Sequence, residues 1–234
     1  MTDERPITGA ERGTEPPLGP ISKTVCCDCL EFMRSCADGE FDLAIVDPPY
    51  GIGKNWIKPT KTRGRRFEKS QYDNQRVGEE YFRELKRISK EQIIWGYNYY
   101  TEFLGSTNYL IIWDKKTSNN PKLHYSKCEI AYTSKRVPCN IISLEWDGYR
   151  MGGERGVKKI HPHQKPVALY EWLLKNYAKP GDRIFDSHLG SGSSRIAAAR
   201  LGFDFVGCEI DPFFYEAQER RFRDYKAQKE LNFN

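Results

Sequence analysis

From Ser22 onward, short runs rich in β-branched and aromatic residues alternate with stretches whose apolar positions recur at helical spacing. That rhythm suits a parallel sheet, because each crossover helix returns the chain to the same end of the sheet and covers one face. Strands are predicted over Leu43 to Asp47, Gln92 to Trp95, Tyr109 to Trp113, Cys128 to Thr133, Asn140 to Ser143, Arg183 to Asp186 and Phe203 to Glu209. Helices are predicted over Glu79 to Ser89, Pro166 to Tyr177 and Pro212 to Lys229, two of them with proline in the first turn, where its missing N–H costs nothing. The expected fold class is α/β, a mostly parallel twisted sheet with helices on both faces. A chain of 234 residues with 38% hydrophobic content supports one sizeable core, so 21–234 is expected to be a single domain. The first 20 residues, rich in Gly, Pro, Glu and Arg, read as a disordered tail.

The strand ending at Val46 runs straight into Asp47, Pro48, Pro49 and Tyr50. This junction holds a carboxylate, a rigid carbonyl and a flat ring at the mouth of a sheet, with φ fixed at both prolines. Chemistry on a planar group is the natural expectation. Alone, the same four residues also suit an ordinary strand-ending turn.

A second junction lies in RIFDSHLGSGSS, from Arg183 to Ser194. A strand ends in Asp186, a turn holds Gly190, Ser191 and Gly192, a helix opens at Ser193, and the next strand ends in Glu209. This is half of a nucleotide-binding βαβ unit. Arg195 stands where the dinucleotide fingerprint has its third glycine, needed for close helix–strand packing, which disfavours NAD. An adenosine ligand without phosphates fits better. Glu209 would hold its ribose hydroxyls, and Asp186 or the Gly190 amide would face a cationic amino-acid tail.

The net charge of +5 is mild and is compatible with a polyanionic partner without requiring one. Its distribution says more. Lys54, Lys58, Lys61, Arg63, Arg65, Arg66 and Lys69 crowd one stretch just after Tyr50, too rich in Gly, Pro and Thr for a settled helix. Residues 147–163 form a second long basic loop. Lys115, Lys116, Lys122, Arg150, Arg155, Lys158 and Lys159 are candidates for a second face. Seven scattered cysteines suggest reduced thiols, and Cys26 with Cys29 finds no second pair to complete a zinc site, so no metal is expected. No run approaches the roughly 18 apolar residues of a membrane span, and the start lacks an export signal, so a cytoplasmic protein is expected.

Taken together, CDCLEFM at Cys27, DPPYGIG at Asp47, IIWGYNYYTEFL at Ile93, IIWDK at Ile111, CEIAYTS at Cys128, HPHQKPVALYEWLL at His161, DSHLGSGSS at Asp186 and GCEID at Gly207 resemble the S-adenosylmethionine-dependent DNA amino-methyltransferases. The order, with DPPY before the glycine-rich motif, is that of their permuted beta arrangement. Ser187 stands where the family usually has proline, and His163 where it usually has threonine.

The resemblance implies a Rossmann-like methyltransferase fold, S-adenosylmethionine as cofactor and double-stranded DNA as partner. A homodimer and a cognate restriction endonuclease are further partners that the resemblance admits for a bacterial or phage-encoded protein. It implies adenine-N6 methylation catalysed by Asp47, Pro48, Pro49 and Tyr50. Cytosine-N4 chemistry and a catalytically silent DNA-binding module are the alternatives. It places Asp28 at the cofactor adenine and Cys29 there through its backbone N–H. Asp186, His188, Gly190, Ser191, Gly192 and Ser193 fall along the methionine end, with Asp47 close by and Lys165 toward the carboxylate. DNA phosphates would meet the basic loops near 54–75, 115–127 and 147–163.

Overall fold

The computed structural model describes residues 20–52, 75–117, 126–146, 154 and 159–231. In chain order the elements are β1 (Ser22–Cys26), α1 (Cys29–Ser35), β2 (Phe41–Val46), α2 (Glu79–Ile88), β3 (Ser89–Trp95), a 3-10 turn (Tyr97–Tyr99), α3 (Thr101–Leu104), β4 (Leu110–Asp114), β5 (Cys128–Thr133), β6 (Asn140–Ser143), α4 (Val167–Tyr177), β7 (Arg183–Asp186), α5 (Ser193–Leu201), β8 (Asp204–Glu209) and α6 (Pro212–Leu231). The strands form one sheet in the order β1-β8-β7-β2-β3-β5-β4-β6. All neighbouring pairs are parallel except the two that β5 makes, with β3 and with β4.

Both faces are covered, as the near-continuous apolar run of β2 requires. Leu43 and Ile45 point into a core with Leu169 and Leu173 of α4 and Ile196 and Ala197 of α5. Ala44 and Val46 point the other way, against Met33 of α1 and Phe82, Leu85 and Ile88 of α2. Each fully buried large side chain contributes about 1.5–3 kcal/mol. Helix α2 buries one stripe, carries Glu79 and Glu80 in its first turn and Lys86 and Arg87 in its last, and passes directly into β3. Those charges complement the helix dipole at both ends.

The seven strands expected from sequence are present, with ends shifted by a few residues. β1 and α1 were not legible. The edge strand β1 has only partly covered and exposed positions in no regular alternation and pairs only with β8, while α1 is seven residues long and depends on its cap. Asp28 supplies that cap, accepting from the backbone N–H groups of Leu30 at 2.8 Å and Glu31 at 3.1 Å. Pro166 is the N-cap of α4 with ψ at 145°, one position before the first helical turn where the sequence placed it. No helix among the described residues is long and apolar enough to cross a membrane.

Candidate active site

Strands β7 and β2 lie side by side and parallel although 136 positions separate Asp47 from Arg183. Chain order reverses between them, which opens a crevice at their carboxyl ends. The Asp47 corner leaves β2 and the glycine turn leaves β7 into that crevice. A cavity of about 300 Å³ is lined by Asp47, Pro48, Pro49 and Tyr50 on one side and by His188, Gly190, Ser191 and Ser193 on another. Glu129, Lys165, Trp113 and Trp146 close it further along the sheet.

At the first corner, Tyr50 Oη donates to Asp47 Oδ1 at 2.5 Å. The Tyr50 ring stacks on Tyr99, centroids 4.7 Å apart and planes 14° from parallel. It packs over Gly96, whose φ is +75°. A Cβ at Gly96 would stand 2.2 Å from Tyr50 Cε1, so glycine here serves both the turn and the ring. Tyr100 is fully buried, and its hydroxyl donates to the Pro49 carbonyl at 2.5 Å and more distantly to the Pro48 carbonyl at 3.4 Å. The Pro48 carbonyl thus keeps accepting capacity.

The second Asp47 oxygen, Oδ2, accepts from Lys165 Nζ. That ammonium also lies 3.1 Å from Glu129 Oε2, while Glu129 Oε1 meets Lys115 Nζ at 2.5 Å. Burial alone would raise the Glu129 pKa, but the Lys165 and Lys115 ammonium groups outweigh it and hold the carboxyl below its usual range. Burial likewise works against the Lys165 charge, and Asp47 and Glu129 more than restore it. Lys165 therefore stays cationic and Glu129 ionised at neutral pH.

On the glycine side, Gly192 is the N-cap of α5 at φ +71°, and Gly190 turns at φ +51° with the His161 ring 3.4 Å from where a Cβ would be. Glu209 accepts from the Gly190 N–H at 2.8 Å and the Asp211 N–H at 2.9 Å, tying the end of β8 to the turn. Asp186 accepts from the His188 N–H at 3.0 Å and from Ser194 Oγ at 2.6 Å. Burial, which its hydrogen bonds only partly oppose, pushes its pKa up to about 7, with the Asp47 and Glu209 charges acting in the same direction. Loss of solvent around the His188 ring takes its pKa down to about 4, so that imidazole is neutral. The Lys165 carbonyl accepts from Ser193 Oγ at 2.7 Å, which links the two halves of the cavity.

Of the residues expected from sequence, Asp47, Pro48, Pro49, Tyr50, Lys165, His188, Gly190, Ser191 and Ser193 line the cavity, and so do Lys115 and Lys159, expected on a second DNA face. Asp186 and Glu209 join this lining by accepting from the His188 and Gly190 N–H groups, Gly192 caps α5 between two lining serines, and Asp28 and Cys29 open α1, with Cys29 Sγ 3.8 Å from His188 Nε2. Lys115 is turned inward onto Glu129. Lys54, Lys58, Lys61, Arg63, Arg65, Arg66 and Lys69 lie outside the described residues, as do Lys122, Arg150, Arg155, Lys158 and the tail before Pro20.

Glu129, Gly96 and Tyr100 carried no role in the sequence reading. Glu129 reaches the site because β5 runs antiparallel, so its beginning lies beside the ends of β3 and β4, opposite Trp113. Which strand ends a residue will face depends on pairing between distant segments.

Residues 88–220, more than half of the chain, match the family model of the N6/N4 methyltransferases, described as DNA methylase. The chain belongs to the DNA methylase family. Among curated relatives of this DNA methylase, it is 22% identical over 237 residues to the type II methyltransferase M2.MboI of Moraxella bovis, covering 84% of this chain and 86% of the relative. It is 23% identical over 246 residues to M.HinfI of Haemophilus influenzae, covering 85% and 67%. Its fold is similar to that of M1.HpyAVI, solved as a complex with SAM, at TM-score 0.57 and 18% identity over 85% of this chain and 98% of that one. The cytosine-N4-specific PvuII DNA methyltransferase is similar at TM-score 0.58 and 15% identity, over 87% of each chain.

Proposed function

We propose that the protein is a beta-type DNA methyltransferase that uses S-adenosylmethionine to methylate the exocyclic N6 amine of adenine in double-stranded DNA, with residues 21–234 acting as one domain. The observation that carries this reading is the single cavity shared by the Asp47–Tyr50 corner and the Gly190 turn. Belonging to the DNA methylase family supports the reaction class.

The residues fit the cofactor. Gly190 presents bare backbone at the cavity wall, and buried acids end both β7 and β8. Asp186 and the Gly190–Ser193 turn, with His188, would hold the cationic methionine end. Glu209 would hold the ribose, and Asp28 with the Cys29 backbone the adenine. When bound, the cofactor would supply an electrophilic methyl group, its S–CH3 bond breaking as the N–CH3 bond forms, and the methylated nitrogen would give up its extra proton to water.

The chain's own task is to prepare the amine. Its lone pair is delocalised into the base, so the nitrogen must be drawn toward tetrahedral geometry. Asp47 and the Pro48 carbonyl each accept one amine hydrogen, and they stabilise the positive charge that develops on nitrogen as the bond forms. Holding both reactants in line supplies on the order of 7 kcal/mol more. Extruding the base from the duplex costs a few kcal/mol, and stacking on Tyr50 returns roughly 1–3 kcal/mol. Lysines and arginines of the basic loops would neutralise phosphates.

An acid rather than serine before Pro48 favours adenine over cytosine in proteins that resemble this one. Mass spectrometry of nucleosides from DNA incubated with the protein and S-adenosylmethionine tests the choice. N6-methyladenine is expected, and N4-methylcytosine alone would refute it.

A further inference from the structure

A catalytic carboxylate that directly meets a lysine poses an electrostatic problem. Asp47 is proposed to stabilise positive charge on the substrate amine, yet its Oδ2 already accepts from the buried Lys165 ammonium. A carboxylate paired one-to-one with an ammonium is close to neutral as seen from a third group, and such a pair attracts developing positive charge weakly.

Glu129 changes that balance. Its Oε2 lies 3.1 Å from the same ammonium, so two carboxylates share the Lys165 cation. Lys115 meets the other Glu129 oxygen at 2.5 Å, so the four groups sum to zero charge, and without Glu129 the two ammonium groups would outnumber Asp47. The group is also held firmly. The backbone of Lys165 is pinned through its carbonyl to Ser193 Oγ, its ammonium lies 5.8 Å from the centre of the Trp95 ring, and Glu129 is set by its strand register opposite Trp113. The remaining Asp47 oxygen, Oδ1, is met by Tyr50 on the cavity side.

We propose that Glu129 is a positioning residue for Asp47: by sharing the Lys165 ammonium it fixes the catalytic carboxylate, and its charge offsets the second ammonium that would otherwise leave this corner positive. The inference rests on Asp47 being the amine acceptor. Glu129 itself touches neither substrate nor cofactor in this scheme, and it acts through Lys165.

The test uses the full chain, S-adenosylmethionine and unmethylated genomic DNA amplified in vitro. Glu129→Gln keeps the shape and removes the charge, and is expected to lower kcat by about tenfold to hundredfold. The affinity for S-adenosylmethionine, measured by titration, is expected to stay within about twofold, a split that separates positioning from general damage. Lys165→Met is expected to slow transfer, and the double variant Glu129→Gln with Lys165→Met to be no slower than Lys165→Met alone, because Glu129 works through that ammonium. If Glu129→Gln does not fold, Glu129→Asp is read instead, with slowed transfer at retained cofactor affinity as the expected result. An unchanged kcat in whichever variant is read, or strictly additive losses in the double variant, overturns the proposal. A wild-type chain that binds S-adenosylmethionine but methylates no DNA refutes the reading of Asp47 beneath it, a distinct outcome from an active wild type with an indifferent Glu129.

Discussion

The ring of Tyr50 occupies the space that any side chain at position 96 would need. A Cβ there would fall 2.2 Å from Cε1, and the backbone at Gly96 has φ of +75°. Replacing Gly96 with Ala therefore combines a strained backbone with a displaced tyrosine. We expect a stability loss of about 1–3 kcal/mol in urea unfolding and a fall in methyl transfer of about a hundredfold, since small misplacements at a reacting centre are costly. A Gly96→Ala protein with full activity would separate the Tyr50 position from the chemistry.

Asp47 joins Tyr50 to Lys165. Asp47→Ala is expected to abolish turnover while DNA affinity, read by equilibrium binding, is largely kept. It also removes one of two partners of a buried ammonium. Removing a partner from a buried ion pair costs about 3–5 kcal/mol, and Glu129, 3.1 Å from the same ammonium, should keep the loss at the low end. A nearly active Asp47→Ala protein would refute the amine-acceptor role.

Asp186 gives the ligand-free protein a pH dependence of definite sign. Burial, reinforced by the Asp47 and Glu209 charges, raises its pKa from 3.8 to about 7. The folded state thus holds this proton more tightly than the unfolded chain does, so its contribution to stability is complete below about pH 4 and declines as pH rises through about 7. A cationic cofactor tail favours the ionised form. Affinity for S-adenosylmethionine should accordingly rise with pH up to about 7 and then level off, with proton release on binding near neutral pH. Calorimetry in buffers of different ionisation enthalpy measures that release. A proton release that persists in Asp186→Asn would assign it to another group.

Arg65 and Arg66 test the basic stretch after Tyr50. Each phosphate contact contributes about 0.9 to the slope of log K against log salt, so replacing both with Ala should flatten that slope by roughly 1.8. An unchanged slope would remove them from the phosphate contacts.

Much of this site is legible along the chain because its parts are local events. A strand running into Asp47-Pro48-Pro49-Tyr50, and a turn with Gly190 and Gly192 between Asp186 and Ser193, announce themselves through residue types that only certain backbone conformations accept. The apolar runs of the central strands and the stripe on α2 follow from what each element must bury, so the layered α/β fold is legible too. Weak local signals were lost: β1 is an edge strand with a broken apolar pattern, and α1 has only seven residues.

The sequence by itself determined the elements, the acids and glycines at their ends, and through them the kind of ligand the crevice suits. Only the tertiary structure decided which strand lies beside which, and in what direction. The β2–β7 pairing brings Asp47 to the glycine turn, and the reversed β5 delivers Glu129 to Lys165. These pairings depend on backbone hydrogen bonds between distant segments and on packing against both faces at once. Neither is encoded in the composition of any one stretch, which is why Glu129 reads in sequence as one more residue of a strand and in the fold as a partner of the catalytic corner.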